Sequence, residues 1–103
     1  MKKIIDGKIY NTDTAREIGT FDNGYSFSDF KHCEETLYKT QKGVYFLYGC
    51  GGPLTRYRES VCDGWTGGTD ILVLSTDEAY LWAESHLSTD TVMNEFPTYI
   101  EEG

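Results

Sequence analysis

No lysine or arginine follows Arg58. From Met1 to Arg58, seven acids stand against nine bases, a net of +2; from Glu59 to Gly103, ten acids have no lysine or arginine to offset them. Together these give the formal charge of −8. A half of one sign repels the phosphates of DNA and attracts basic partners, among them a protein that holds nucleic acid in a positive channel. The same acids, as an ordinary solvated face, also keep a chain soluble with no partner at all. Asp77, Glu78, Glu84, Asp90 and Glu95 are the acids from which a partner surface would be built, with Glu101 and Glu102 beyond them.

Cysteine is scarce and unpatterned. Cys33, Cys50 and Cys62 are three in number and have no CxxC spacing. That excludes a disulfide framework and suits free thiols in a reducing compartment. Long apolar runs are missing too: Ile4 and Ile5 are cut off at Asp6, so neither a signal peptide nor a membrane span is expected, and the default location is cytosolic. What is present is 39% hydrophobic and 15% aromatic content in 103 residues, enough for one domain over residues 1–103. There is no repeat, linker or low-complexity tract.

The periodicity predicts an α+β fold, a small antiparallel sheet with hairpins. A short N-terminal helix and a C-terminal amphipathic helix are expected to cover it. Lys3 to Ile5 and Lys8 to Tyr10 flank Asp6-Gly7, a pair that supplies the positive φ angles of a tight turn. Asn11 to Thr14 offer N-cap side chains ahead of Ala15 and Ile18, with Gly19 as C-cap, which predicts a helix there. Thr20 and Phe21 follow as extended chain, and Asp22 to Asp29 is rich in turn formers. Glu34–Thr40 and Val44–Gly49 form the clearest strand pair, and the apolar groups on both sides of the second strand mark it as central.

Thr55 to Ser60 is expected to be a short helical turn before a glycine-rich loop through Gly64, Gly67 and Gly68. Ile71 to Leu74 reads as a buried strand. It runs into Ser75-Thr76-Asp77-Glu78, a capping box, with Ala79, Trp82, Ala83 and Leu87 on one stripe of the helix that follows. A last helix is expected over Asp90 to Phe96, ended by Pro97.

No catalytic or metal signature is complete. Gly49-Cys50-Gly51-Gly52 follows a strand as a phosphate loop would, but it lacks the Gly-Lys-Ser/Thr ending, and Pro53 brings no backbone donor. His32, Cys33, Cys50 and Cys62 are zinc-ligand types without paired spacing. A cysteine with His32 or His86 and an acid from Glu34 or Glu84 has no local motif behind it, and His86 reads as a packed, hydrogen-bonded side chain on the helix. Adjacent Glu34 and Glu35 face opposite sides of a strand, a poor acid–base pair. The remaining feature interleaves Tyr38, Lys39, Lys42, Tyr45, Tyr48, Arg56, Tyr57 and Arg58, types that stack on bases or anchor protein interfaces. With the chain negative overall, protein contact is preferred. Tyr48, Arg56, Tyr57 and Arg58 therefore join the candidate partner-binding residues.

Lys8-Ile9-Tyr10-Asn11-Thr12, Glu35-Thr36-Leu37-Tyr38, Lys42-Gly43, Tyr45-Phe46-Leu47, Gly51-Gly52 and Trp82-Ala83-Glu84-Ser85-His86-Leu87 together carry a resemblance. Over residues 2 to about 96 the chain resembles a group of small proteins from mobile elements of gut Firmicutes. Within that group it is similar to the type II-A anti-CRISPR proteins, phage-type inhibitors of the RNA-guided DNA-cleaving effector nuclease. The resemblance implies a monomeric, non-enzymatic inhibitor in the cytoplasm of the bacterial host. Its partner would be the nuclease or its guide-loaded complex, with no membrane, cofactor or metal. The alternative is a mobile-element accessory protein that binds single-stranded nucleic acid through the Tyr, Lys and Arg residues.

Overall fold

A computed structural model describes all residues, 1–103. Strands β1 (Lys2–Ile5) and β2 (Lys8–Asn11) form an antiparallel hairpin. The turn between them holds Asp6 at φ 51° and Gly7 at φ 76°, as the Asp-Gly pair predicts. The main sheet contains β3 (Arg16–Asp22), β4 (Cys33–Lys39), β5 (Tyr45–Gly51) and β8 (Gly68–Leu74) in the order β3-β4-β5-β8, antiparallel throughout. A second hairpin, β6 (Glu59–Val61) and β7 (Gly64–Thr66), follows β5 and precedes β8 along the chain. Helices α1 (Thr76–His86) and α2 (Thr89–Glu95) and a 3-10 turn (Pro97–Tyr99) close the chain.

The alternation of β5 divides the core. Tyr45 and Leu47 point to one side and pack with Leu37, Ala79, Ala83, Val92 and Phe96 beneath the two helices. Phe46 points to the other side and packs with Ile71 and Tyr10, beneath the N-terminal hairpin. The Tyr10 ring meets Phe46 edge-on at 5.6 Å, and Tyr38 stacks on it at 5.3 Å. Leu37, Phe46, Leu47 and Ile71 are fully buried, each contributing about 1.5–3 kcal/mol. The molecule is a thin plate, 50 × 34 × 20 Å, with helices on one face and a hairpin on the other.

Helix α1 begins as its sequence predicts. Ser75 accepts from the Glu78 amide, and the Glu78 carboxylate accepts from the Ser75 amide at 2.9 Å. Ala79 and Ala83 are the innermost of the predicted stripe, with Trp82 and Leu87 packed beside them. In α2 the cap is Ser88, and Pro97 starts the terminal 3-10 turn.

Two expected elements differ. The helix over Asn11 to Gly19 is absent, and only a single turn exists, with the Ala15 amide on the Asn11 carbonyl at 3.1 Å. The polar side chains read as caps make a local turn instead: Asn11 Oδ1 accepts from the Asp13 amide at 2.9 Å. From Arg16 onward the backbone pairs with β4. A register shift between Glu17 and Gly19 bulges Ile18. Gly19 is no C-cap, because a Cβ there would lie 2.7 Å from Leu87 Cδ2, so its role is close packing against the end of α1. The helical turn expected from Thr55 to Ser60 is a single hydrogen-bonded turn, the Arg58 amide on the Thr55 carbonyl at 3.2 Å, and does not continue. Glu59 then enters β6, and part of the expected glycine loop is the β6–β7 hairpin.

Candidate functional site

The helix layer gathers the acids. Asp77, Glu78 and Glu84 of α1, Asp90 of α2, and Glu101 and Glu102 after the 3-10 turn are all exposed, and no lysine or arginine occurs from Ser75 to Gly103. Several are held in place. Tyr80 and Tyr99 stack at 4.5 Å, the Tyr80 hydroxyl donates to Glu84 at 2.5 Å, and the Tyr99 hydroxyl donates to Asp77. These bonds to carboxylates raise both phenol pKa values. The cap bond from the Ser75 amide holds the Glu78 carboxyl below its usual range. Leu81 and Met93 are exposed on the same layer. An acidic layer without lysine or arginine, carrying scattered apolar side chains, can meet a basic protein surface.

Glu95 does not belong to that surface. Its side chain is 9% exposed, and it accepts from Arg16 at 2.8 Å and from the Tyr45 hydroxyl at 2.8 Å, with Lys39 Nζ at 3.4 Å. Burial alone raises its pKa, but the Arg16 and Tyr45 bonds outweigh this and the net shift is downward. Glu95 thus ties α2 to β3, β4 and β5, and its place among the candidate partner-binding acids is corrected to a structural one.

The tyrosine and arginine candidates are not brought onto one surface. Tyr57 is only 3% exposed, so it too leaves the partner set. Its ring lies against Gly49 on the helix face of β5, where a Cβ would stand 2.0 Å from Tyr57 Cζ. Tyr48, half-buried, packs with Phe46 and Ile71 on the opposite face. Arg58 is exposed and lies over the Trp65 ring at 3.9 Å, which joins the chain after Tyr57 to the β6–β7 hairpin.

Arg56 and Tyr57 converge instead on Glu35, a residue that sequence reasoning placed correctly on the opposite side from Glu34 but left without a role. The Tyr57 hydroxyl and Arg56 (2.5 Å) donate to Glu35 Oε2, and Trp82 Nε1 donates to Oε1 at 3.0 Å. Burial by itself raises the Glu35 pKa, yet the bonds from Tyr57, Trp82 and Arg56 hold it below the ordinary value. Burial, followed by the bond to the same carboxylate, drives the Tyr57 phenol upward. This buried anion links β4, the 52–58 loop and α1. With its donors committed and little room around it, it is a structural junction. Its sequence signal was faint, a glutamate next to another on the strand and far from all three donors along the chain.

His86 is packed as expected, its ring 3.9 Å from Phe21 and 5.2 Å from Trp82, but the expected hydrogen bond to its side chain is absent. All three cysteines are free. Burial and the neighbouring Glu35 raise the Cys33 thiol, and burial with Glu34 and Asp22 raises Cys50, the opposite of an activated nucleophile. His32, Asp22 and Glu34 come together at the end of the sheet where β3 and β4 are joined. No helix is long and apolar enough to cross a membrane. Comparison with protein-family models, curated proteins and solved structures returns no match to this chain.

Proposed function

We propose that this chain is a stoichiometric inhibitor of a type II-A CRISPR RNA-guided effector nuclease, acting by binding and not by chemistry. The observation that carries the reading is the helix layer from Ser75 to Gly103, which exposes six acids and has no lysine or arginine. The exposed acids Asp77, Glu78, Glu84, Asp90, Glu101 and Glu102 ride on the helices and the terminal segment, while Lys2, Lys3 and Lys8 lie on the hairpin behind the sheet. Such an effector reads its guide–target duplex and its PAM through basic surfaces, which an acidic layer complements. The resemblance of the sequence to type II-A anti-CRISPR proteins supplies the identity of the partner. Single-stranded nucleic-acid binding through the tyrosines is less well supported, since Tyr57 is buried and Tyr48 lies on the other face of β5.

Converting Asp77, Glu84, Asp90, Glu101 and Glu102 together to Asn or Gln leaves the Ser75–Glu78 cap and the Glu95 junction intact. The variant is expected to bind the guide-loaded nuclease at least about tenfold more weakly, with a flatter dependence on salt, because screened charge pairs govern both. Affinity and salt slope by titration calorimetry or surface binding check this. An unchanged affinity with an unchanged salt slope removes the acidic layer from the interface.

A further inference from the structure

We propose that Asp22, His32 and Glu34 bind one divalent transition-metal ion of the zinc class. Asp22 ends β3 and is the direct cross-strand partner of Glu34 on β4. A ring nitrogen of His32 and a carboxylate oxygen from each acid all lie within 4.8 Å of one another. Like charges set opposite each other in a ladder repel, and no cation relieves these two. The ion pairs of the protein are Lys3–Asp70, Arg16–Glu95, Lys39–Glu95 and Arg56–Glu35.

His32 supplies an independent observation. It is 5% exposed, and its Nδ1 stands 2.9 Å from the Tyr25 carbonyl oxygen, a partner that can only accept. The proton is therefore assigned to Nδ1, and Nε2 keeps its lone pair. Nε2 is buried and has no hydrogen-bond partner. An unmet buried polar atom is costly. An imidazole whose other nitrogen is tied to a backbone carbonyl has the orientation and tautomer of a metal ligand.

The loop that carries His32 is cross-braced around these groups. Asp22 Oδ1 accepts from the Gly24 amide at 2.8 Å, Asn23 Nδ2 donates to the Lys31 carbonyl at 2.7 Å, and Asn23 Oδ1 accepts from the Cys33 amide at 3.1 Å. The Phe27 ring lies 5.1 Å from the His32 ring. One imidazole with two carboxylates suits zinc and its neighbours better than magnesium or calcium, which prefer oxygen alone. Ligands at about 2.0–2.2 Å from a tetrahedral ion stand about 3.4 Å apart, inside the 4.8 Å within which these three atoms lie. Asp22 is exposed and keeps a second carboxylate oxygen beside the Oδ1 bonded to Gly24, and the fourth position is left to water.

The test is calorimetric titration of the whole protein in metal-free buffer with a phosphine reductant, using Zn²⁺ and Mg²⁺ separately, alongside thermal melts. One Zn²⁺ per chain is expected, with a rise in Tm of about 10 °C at a hundredfold excess over Kd and no shift with Mg²⁺. Asp22→Asn and Glu34→Gln are each expected to weaken Zn²⁺ binding tenfold or more while circular dichroism stays unchanged, so the result does not depend on a variant of buried His32. No Zn²⁺ binding overturns the proposal. So does binding that survives both acid substitutions, whether or not replacing Cys33, Cys50 and Cys62 by serine then abolishes it.

Discussion

Glu35→Ala is expected to lower stability by about 3 kcal/mol and Tm by about 15 °C. Glu35 is the only acceptor bonded to Trp82 Nε1, and the Tyr57 hydroxyl, inside the core, donates to it as well. Removing the carboxylate leaves the buried Tyr57 hydroxyl and the half-buried Trp82 Nε1 unpaired beside a cavity. Arg56, whose side chain is 54% exposed, recovers water and adds little to the loss. Glu35→Gln keeps the shape and one acceptor, so its cost is expected to be about half as large.

The pH dependence has a definite sign. The folded pKa of Glu35 lies below the ordinary carboxyl value, so its contribution is fully present above the unfolded pKa of about 4.3 and is lost as pH falls through the folded value. Urea unfolding from pH 7 to pH 3 should show a shallower acid decline for Glu35→Gln than for the natural chain. An Ala variant within about 0.5 kcal/mol of the natural chain, or an unaltered acid decline, would contradict the junction.

Gly49→Ala is expected to cost about 3 kcal/mol or more, the largest effect of any single methyl addition to β5. The new Cβ would stand 2.0 Å from Tyr57 Cζ and 2.1 Å from its hydroxyl oxygen. Neither can remain, and the ring's departure breaks its bond to Glu35 as well. The cause is testable by a double-mutant cycle. In a Tyr57→Ala background the methyl has room, so Gly49→Ala there should cost less than about 1 kcal/mol. Additive costs would show that the glycine serves the strand backbone and not the aromatic ring above it.

Local chemistry is what the sequence made legible. Asp6-Gly7 closes its hairpin, Ser75 and Glu78 cap α1, and the two apolar sides of Val44 to Tyr48 mark the central strand covered on both faces. Each of these signals lies within a few residues of what it specifies. The misreadings came from long-range partners. Asn11 to Gly19 has the dress of a capped helix, but pairing with β4 and packing of Gly19 against Leu87 draw it into a strand. Glu95 looks like one more acid of a solvated half until the fold brings it to Arg16, far away in sequence.

Tyr57, between two arginines, reads as an interface residue, and only the absence of a side chain at Gly49 lets it sink into the core. The meeting of Asp22, Glu34 and His32 follows from a strand register that the sequence alone does not state. The charge asymmetry was plain from composition, but the gathering of Asp77, Glu78, Glu84 and Asp90 on one layer depended on the helices stacking on a single face of the sheet.

The most direct test of the proposed inhibitor is a titration of the purified chain into a guide-loaded type II-A effector nuclease. Target-DNA cleavage and co-elution on a sizing column are followed in the same samples. Cleavage that falls to zero near one equivalent, with the two proteins eluting together, is the expected result. Full cleavage at a large molar excess, with separate elution, would contradict it.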